Sequence, residues 1–208
     1  MNVEADGDAA GVAKRPSGSE RISRAAYELF TRHGVRDVGV DAVVDRAGTA
    51  KMTLYRNFPS KDDLILDYLA RREKLWTEQW LMHESSQRGA RPQDQLLAVF
   101  DLFGEWFARS DFEGCVFLTT MVEINDPDTP VFRAAVKHLG RIRAYLRELA
   151  TAAGVADPAL LARQWHILMK GSIMAAQEGD RDAASAARAV GVLLLQTEGI
   201  DVEPAVGG

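Results

Sequence analysis

The stretch Val40 to Lys61, VDAVVDRAGTAKMTLYRNFPSK, constrains the chain more than any other. Val40, Val43, Val44 and Ala47 recur at helical spacing and form one apolar stripe. Gly48 then breaks the pattern where a chain needs a positive φ. A second short helix is predicted from about Lys51 to Asn57, with Leu54 and Phe58 turned toward the first. Its other face offers Lys51, Met52, Thr53, Tyr55, Arg56 and Asn57. A short exposed helix of this kind, braced by another, fits the major groove of B-DNA. An ordinary helical hairpin with a solvated polar face would show the same spacing, so the motif alone does not decide.

The residues that follow are more specific. Leu54-Tyr55-Arg56-Asn57-Phe58-Pro59-Ser60-Lys61-Asp62-Asp63-Leu64 closely resembles the LY-x-x-F-x-SK-x-x-L signature of TetR-family (tetracycline-repressor-like) regulators. The flanking spacing agrees, from Ala25-Ala26 and Leu29-Phe30 through Gly34 to Ala47-Gly48. The resemblance covers roughly residues 16–76. It implies an all-α chain of about nine helices. A DNA-binding domain would span 16–76, with its helix-turn-helix at 39–58, and a ligand-binding and dimerising domain 77–198, leaving tails at 1–15 and 199–208. Lys51, Met52, Thr53, Tyr55, Arg56 and Asn57 would then face bases, while Lys61 and Arg21 would meet phosphates.

Two departures from the family pattern stand out. Val38 and Gly39 occupy positions where the family usually has Thr or Ser, whose hydroxyl caps the helix and touches phosphate. Where Val-Ser-Lys-Gly-Thr often opens the reading helix, this chain has Thr49-Ala50-Lys51-Met52-Thr53. Met52 thus replaces a glycine and offers a thioether to a thymine methyl, which points to a distinctive operator.

Net charge is −5, which by itself argues against a nucleic-acid binder. Its distribution argues the other way. Residues 14–61 hold ten Lys and Arg against five Asp and Glu, whereas 62–208 hold 15 against 22. Basic charge is concentrated where the reading helix lies. A single cysteine, Cys115, leaves no internal disulfide framework and fits a reducing cytoplasm, with the thiol expected to be buried and inert. No apolar run reaches the ~18 residues of a membrane span, and the N-terminal residues show no hydrophobic signal core.

Ser17 and Glu20 have capping-box spacing for a first helix that His33-Gly34 ends, and Ser60 with Asp63 repeats that spacing for a long fourth helix to about Glu84. Leu64, Tyr68, Leu75 and Trp76 are expected on one apolar face of that helix. Lys14 and Arg15, in the tail, are candidates for reaching a phosphate. Pro92 opens a fifth helix, Gly114 a shorter sixth, Thr129-Pro130 a seventh and Asp157-Pro158 an eighth, and Asp182 is expected to cap the ninth. The small residues Gly171 to Ala176, followed by the apolar run Val190 to Leu195, predict a homodimer through the last two helices.

Phe103, Trp106, Phe107, Phe117, Met121, Trp165 and Met169 are candidates for a pocket that takes a small, mostly apolar effector, with Glu123, Gln164 and His166 as polar neighbours. Aromatics at helical spacing also build ordinary cores, which is the competing reading of each. No phosphate loop, nucleophile elbow or metal-ligand spacing among His33, His83, His138, His166 and Cys115 is present, so neither an enzyme, a cofactor nor a metal is expected. The expectation is a cytoplasmic repressor that leaves a palindromic double-stranded operator when its effector binds. Activation remains open, as does a dimeric small-molecule binder without DNA reading.

Overall fold

The computed structural model describes residues 16–202, and all that they form is helical. The expectations for residues 1–15, including Lys14 and Arg15, and for 203–208 fall outside the described residues. Nine helices follow in order: α1 Gly18–Asp37, α2 Val40–Ala47, α3 Lys51–Asn57, α4 from Lys61, α5 Pro92–Phe107, α6 Val116–Ile124, α7 Pro130–Ala152, α8 Pro158–Gln177 and α9 Ala183–Thr197. α4 is α-helical over Lys61–Arg72, widens to π-type over Glu73–Met82, and closes as α-helix over His83–Arg88.

Local chemistry sets most of these boundaries. Ser17 Oγ accepts from Glu20 N at 3.2 Å while Glu20 returns the bond to Ser17 N at 2.6 Å. Ser60 and Asp63 make the same reciprocal pair at the start of α4. Thr129 and Asp157 cap α7 and α8, each ahead of a proline in the first turn. Asp182 precedes α9 but makes no side-chain capping bond, contrary to the sequence expectation, because its backbone sits at φ −97°, ψ 1° rather than in the extended capping conformation. α1 does not stop at Gly34 either. It breaks there (φ 79°, ψ 165°) and resumes for one turn to Asp37.

α1, α2, α3 and the first turns of α4 enclose one core of Ile22, Ala26, Phe30, Val43, Leu54, Leu64 and Tyr68. Leu54 is fully buried between α1 and α2, so its truncation to Ala should cost about 2–5 kcal/mol. α5 packs on α9 and α8 to form the second core. There Gly191 matters, because a Cβ on it would lie 2.8 Å from the Trp165 ring and 3.3 Å from Phe100. α4 continues through residues 76 and 77 without a break and is shared by both units. Leu75, expected on its apolar face, is instead exposed, since the π-type segment beginning at Glu73 rotates that face away. Val202, beyond α9, is buried.

Candidate functional site

α2 and α3 meet across Gly48, which takes the left-handed conformation (φ 59°, ψ 46°) that ends α2. Neither α2 nor α3 has a side-chain cap, since Gly39 and Ala50 carry no oxygen to offer. The carbonyl end of α2 is held from outside the motif. Arg21 Nη1 donates to Gly48 O at 3.0 Å and to Ala47 O at 3.3 Å. Arg21 therefore braces the turn through one nitrogen of its guanidinium.

α3 presents Lys51, Met52, Tyr55, Arg56 and Asn57 to solvent. Met52 is 71% exposed and Tyr55 42%. Thr53 is turned partly inward, its Cγ2 2.9 Å from where a Cβ on Gly18 would lie. Lys51 Nζ is 2.6 Å from Asp41 Oδ1 on α2, and this hydrogen-bonded pair raises the Lys51 pKa. Asn57 Nδ2 donates to Thr53 O within the helix at 2.7 Å. Lys61, at the first turn of α4, donates to Arg36 O at 3.3 Å. All eight predicted DNA-facing residues lie on α3, on the first turn of α4, or on the α1 face that braces the motif.

Behind this surface lies a cleft of about 910 Å³ between α1, α4, α6 and the loop after α5. One wall is aromatic: Trp76, Trp80, Trp106 and Phe112 pack edge to face or tilted, with ring centroids 4.8 to 5.7 Å apart. Trp76 Nε1 is buried without a hydrogen-bond partner. Charge lies directly against this wall, with the Arg72 guanidinium 5.9 Å from the centre of the Trp76 ring. Arg72, only 6% exposed, pairs with Glu113 at 2.7 Å and donates to Tyr27 Oη at 3.2 Å. Burial opposes its charge, yet Tyr27, Glu113 and Tyr68 outweigh that and raise its pKa.

Glu123 lines the same cleft from the last turn of α6. Its Oε2 accepts from Val35 N at 2.6 Å and from Arg36 N at 2.9 Å, the two amides that follow the break at Gly34. A Cβ at residue 34 would lie 2.1 Å from Glu123 Oε1, so the contact needs glycine twice, for its φ and for its bareness.

Of the seven predicted pocket residues, Trp106 lines the cleft. Phe103, Phe117, Trp165 and Met169 are buried in the helical core, and Phe107 and Met121 are partly buried beside it. Phe117 stacks on His138. Trp165 lies under Gly191. His166 is buried and, by desolvation together with Lys170 and Arg143, is pushed down to about 3. Burial raises the Cys115 thiol, which suits an inert group. Sequence reasoning missed Arg72, Glu113 and the α1 side of the cleft. Their partners lie some 40 or more residues away in sequence, and only Gly34 signalled that α1 changes course there.

The comparisons with known proteins agree with this geometry. Residues 22–68 match the family model for bacterial regulatory proteins of the tetR family, and residues 92–190 match a tetracyclin repressor-like C-terminal domain. The HTH-type transcriptional regulator YjdC of Escherichia coli is 24% identical over 157 residues, 74% of this chain and 80% of that protein. A TetR transcriptional regulator of Streptomyces avermitilis superposes with a TM-score of 0.79 at 29% identity, over 89% of this chain and all of that one. A TetR-family regulator of Streptomyces coelicolor does so at 0.78 and 26%, over 86% and 95%. This chain has a helix-turn-helix joined by one long helix to a second helical body, both parts are matched by family models, and the chain belongs to the TetR family of DNA-binding transcriptional regulators rather than to any class of enzyme.

Proposed function

We propose that this regulator is a repressor that grips a palindromic operator as a homodimer and releases it when a small, mostly apolar molecule enters the cleft behind the reading helix. The observation that carries the reading is the position of that cleft. It touches α1 of the DNA-reading unit and the aromatic wall of the second unit at once. A ligand that separates these walls must shift one unit against the other. Trp106 is the predicted pocket residue that faces such a ligand, backed by Phe103 and Phe107 at 5.6 and 5.7 Å.

Dimerisation is assigned to α8 and α9. Among the described residues they leave Leu160, Ile167 and Met174 exposed on α8, and Val190 and Leu193 on α9, with Ile167 67% and Leu193 60% accessible. So much apolar surface on adjacent helices suits a two-fold helical interface. Such a dimer would place two α3 helices one DNA turn apart (~34–36 Å) or a multiple of it, on chromosomal DNA in the cytoplasm.

The test combines a gel shift on DNA flanking the regulator's own gene with titration of hydrophobic compounds followed by tryptophan fluorescence. The expected result is quenching together with DNA release. Trp106→Ala should leave operator binding intact and blunt the response to ligand. Tight binding with rising transcription of the adjacent genes would make the protein an activator and overturn the repressor reading.

A further inference from the structure

We propose that Glu123 is the positioning residue through which the state of the cleft reaches the DNA-reading unit. This rests on the cleft being the effector site, as argued above. The carboxylate sits on α6 with one edge in the cleft, and it is hydrogen-bonded to backbone of the other unit. Its two acceptor bonds, 2.6 and 2.9 Å to Val35 N and Arg36 N, are charge-assisted, the stronger class of hydrogen bond. Both amides follow directly on Gly34, where the backbone leaves the helical conformation before it restarts. The turn from Val35 to Asp37 is therefore organised by a side chain 87 to 88 residues away.

The contact continues toward DNA. Arg36, whose N–H is held by Glu123, offers its carbonyl to Lys61 Nζ at 3.3 Å. Lys61 opens α4 and is the lysine expected on phosphate. Arg36 thus links a carboxylate in the cleft, through its N–H, to an ammonium on the first turn of α4, through its carbonyl. The next residues, Val38 and Gly39, lead directly into α2. An occupant that displaces the Glu123 carboxylate frees this turn and loosens the footing of Lys61 and the reading helices together. The latched form, in which the turn is fixed, is the one that binds DNA. Gly34 belongs to the same device, since any side chain there would collide with the carboxylate.

The experiment compares full-length wild type with Glu123→Ala and the near-isosteric Glu123→Gln. Amide hydrogen exchange is followed at Val35 and Arg36, and gel shifts use DNA flanking the protein's own gene. Glu123→Ala should speed exchange of those two amides at least tenfold, leave the amides of α8 unchanged, and weaken DNA binding by roughly tenfold, within the usual range of coupling between sites. Glu123→Gln, which keeps one neutral acceptor, should fall between. Should Glu123→Ala fail to fold, the Gln variant alone decides, with an expected loss of affinity of a few-fold.

Freed amides with unchanged DNA affinity would reduce the contact to a local brace, and unchanged exchange would show that it is absent in solution. Either outcome overturns the proposal. The effector site is checked separately with anilinonaphthalene sulfonate as probe, by energy transfer from the cleft tryptophans. If the dye fails to report on the cleft, or fills it without weakening DNA binding by the wild type, the effector reading fails whatever Glu123 does. If the dye weakens DNA binding by wild type and by Glu123→Ala to the same degree, the effector reading stands and Glu123 is not the link.

Discussion

Lys51 Nζ lies 2.6 Å from Asp41 Oδ1, so the first lysine of the reading helix is held by the helix that braces it. Both side chains are exposed, and an exposed pair of this kind is weak and screened by salt. The pairing therefore sets the direction of Lys51 without preventing it from swinging onto DNA.

Removing the competitor should help binding. Asp41→Asn is expected to tighten DNA affinity about two- to fivefold at low salt, since the freed lysine no longer gives up a partner. Lys51→Ala should weaken binding, and in that background Asp41→Asn should contribute far less. A double-mutant cycle by fluorescence anisotropy measures this, and additive effects would show that the pair is irrelevant to DNA.

Lys61 is expected to behave differently, as a phosphate contact. Lys61→Ala should weaken binding about equally on operator and unrelated DNA and reduce the salt-dependence slope by roughly one unit. The measurement is the affinity on both DNAs between low and moderate salt. A selective loss on operator alone would move Lys61 from phosphate to base.

Ile167, on the outer face of α8, tests the interface. Ile167→Glu should give a protein that sediments as a monomer and no longer shifts operator DNA. Its helical content should be retained, because the side chain is already 67% exposed within one subunit. A dimer that survives this change and Leu193→Glu would place the interface elsewhere.

His166 predicts a pH dependence of stability. Its pKa is lowered to about 3 by burial and by Lys170 and Arg143, whereas an unfolded histidine titrates near 6.5. Below about pH 6.5 the unfolded chain therefore binds a proton that the folded chain refuses. Stability from this source is complete above 6.5 and falls toward pH 3, by at most about 1.4 kcal/mol per unit. His166→Gln should flatten that slope in thermal melts from pH 7 to 4, and an unchanged slope would assign the acid loss to other groups.

Legibility of the sequence followed the range of the interactions. α3 begins and ends at the residues expected, and Ser17, Ser60, Thr129 and Asp157 cap where expected, since each depends on neighbours within a few positions. The pocket was less legible. Periodicity shows that Phe117 and Trp165 lie on apolar faces, but not that Phe117 meets His138 or that Trp165 fills the space under Gly191. It also does not show that α1, from Tyr27 to Val35, forms a wall of the cleft. Those placements are decided by helix-on-helix packing between distant segments.

The Arg21 brace bears on how freely the reading motif can be transplanted. The turn at Gly48 is secured by a side chain 26 and 27 positions upstream, and neither α2 nor α3 brings a cap of its own. Residues 39–58 moved to a foreign scaffold would keep their sequence and lose their clasp, so a chimera meant to inherit this protein's DNA preference has to import α1 as well.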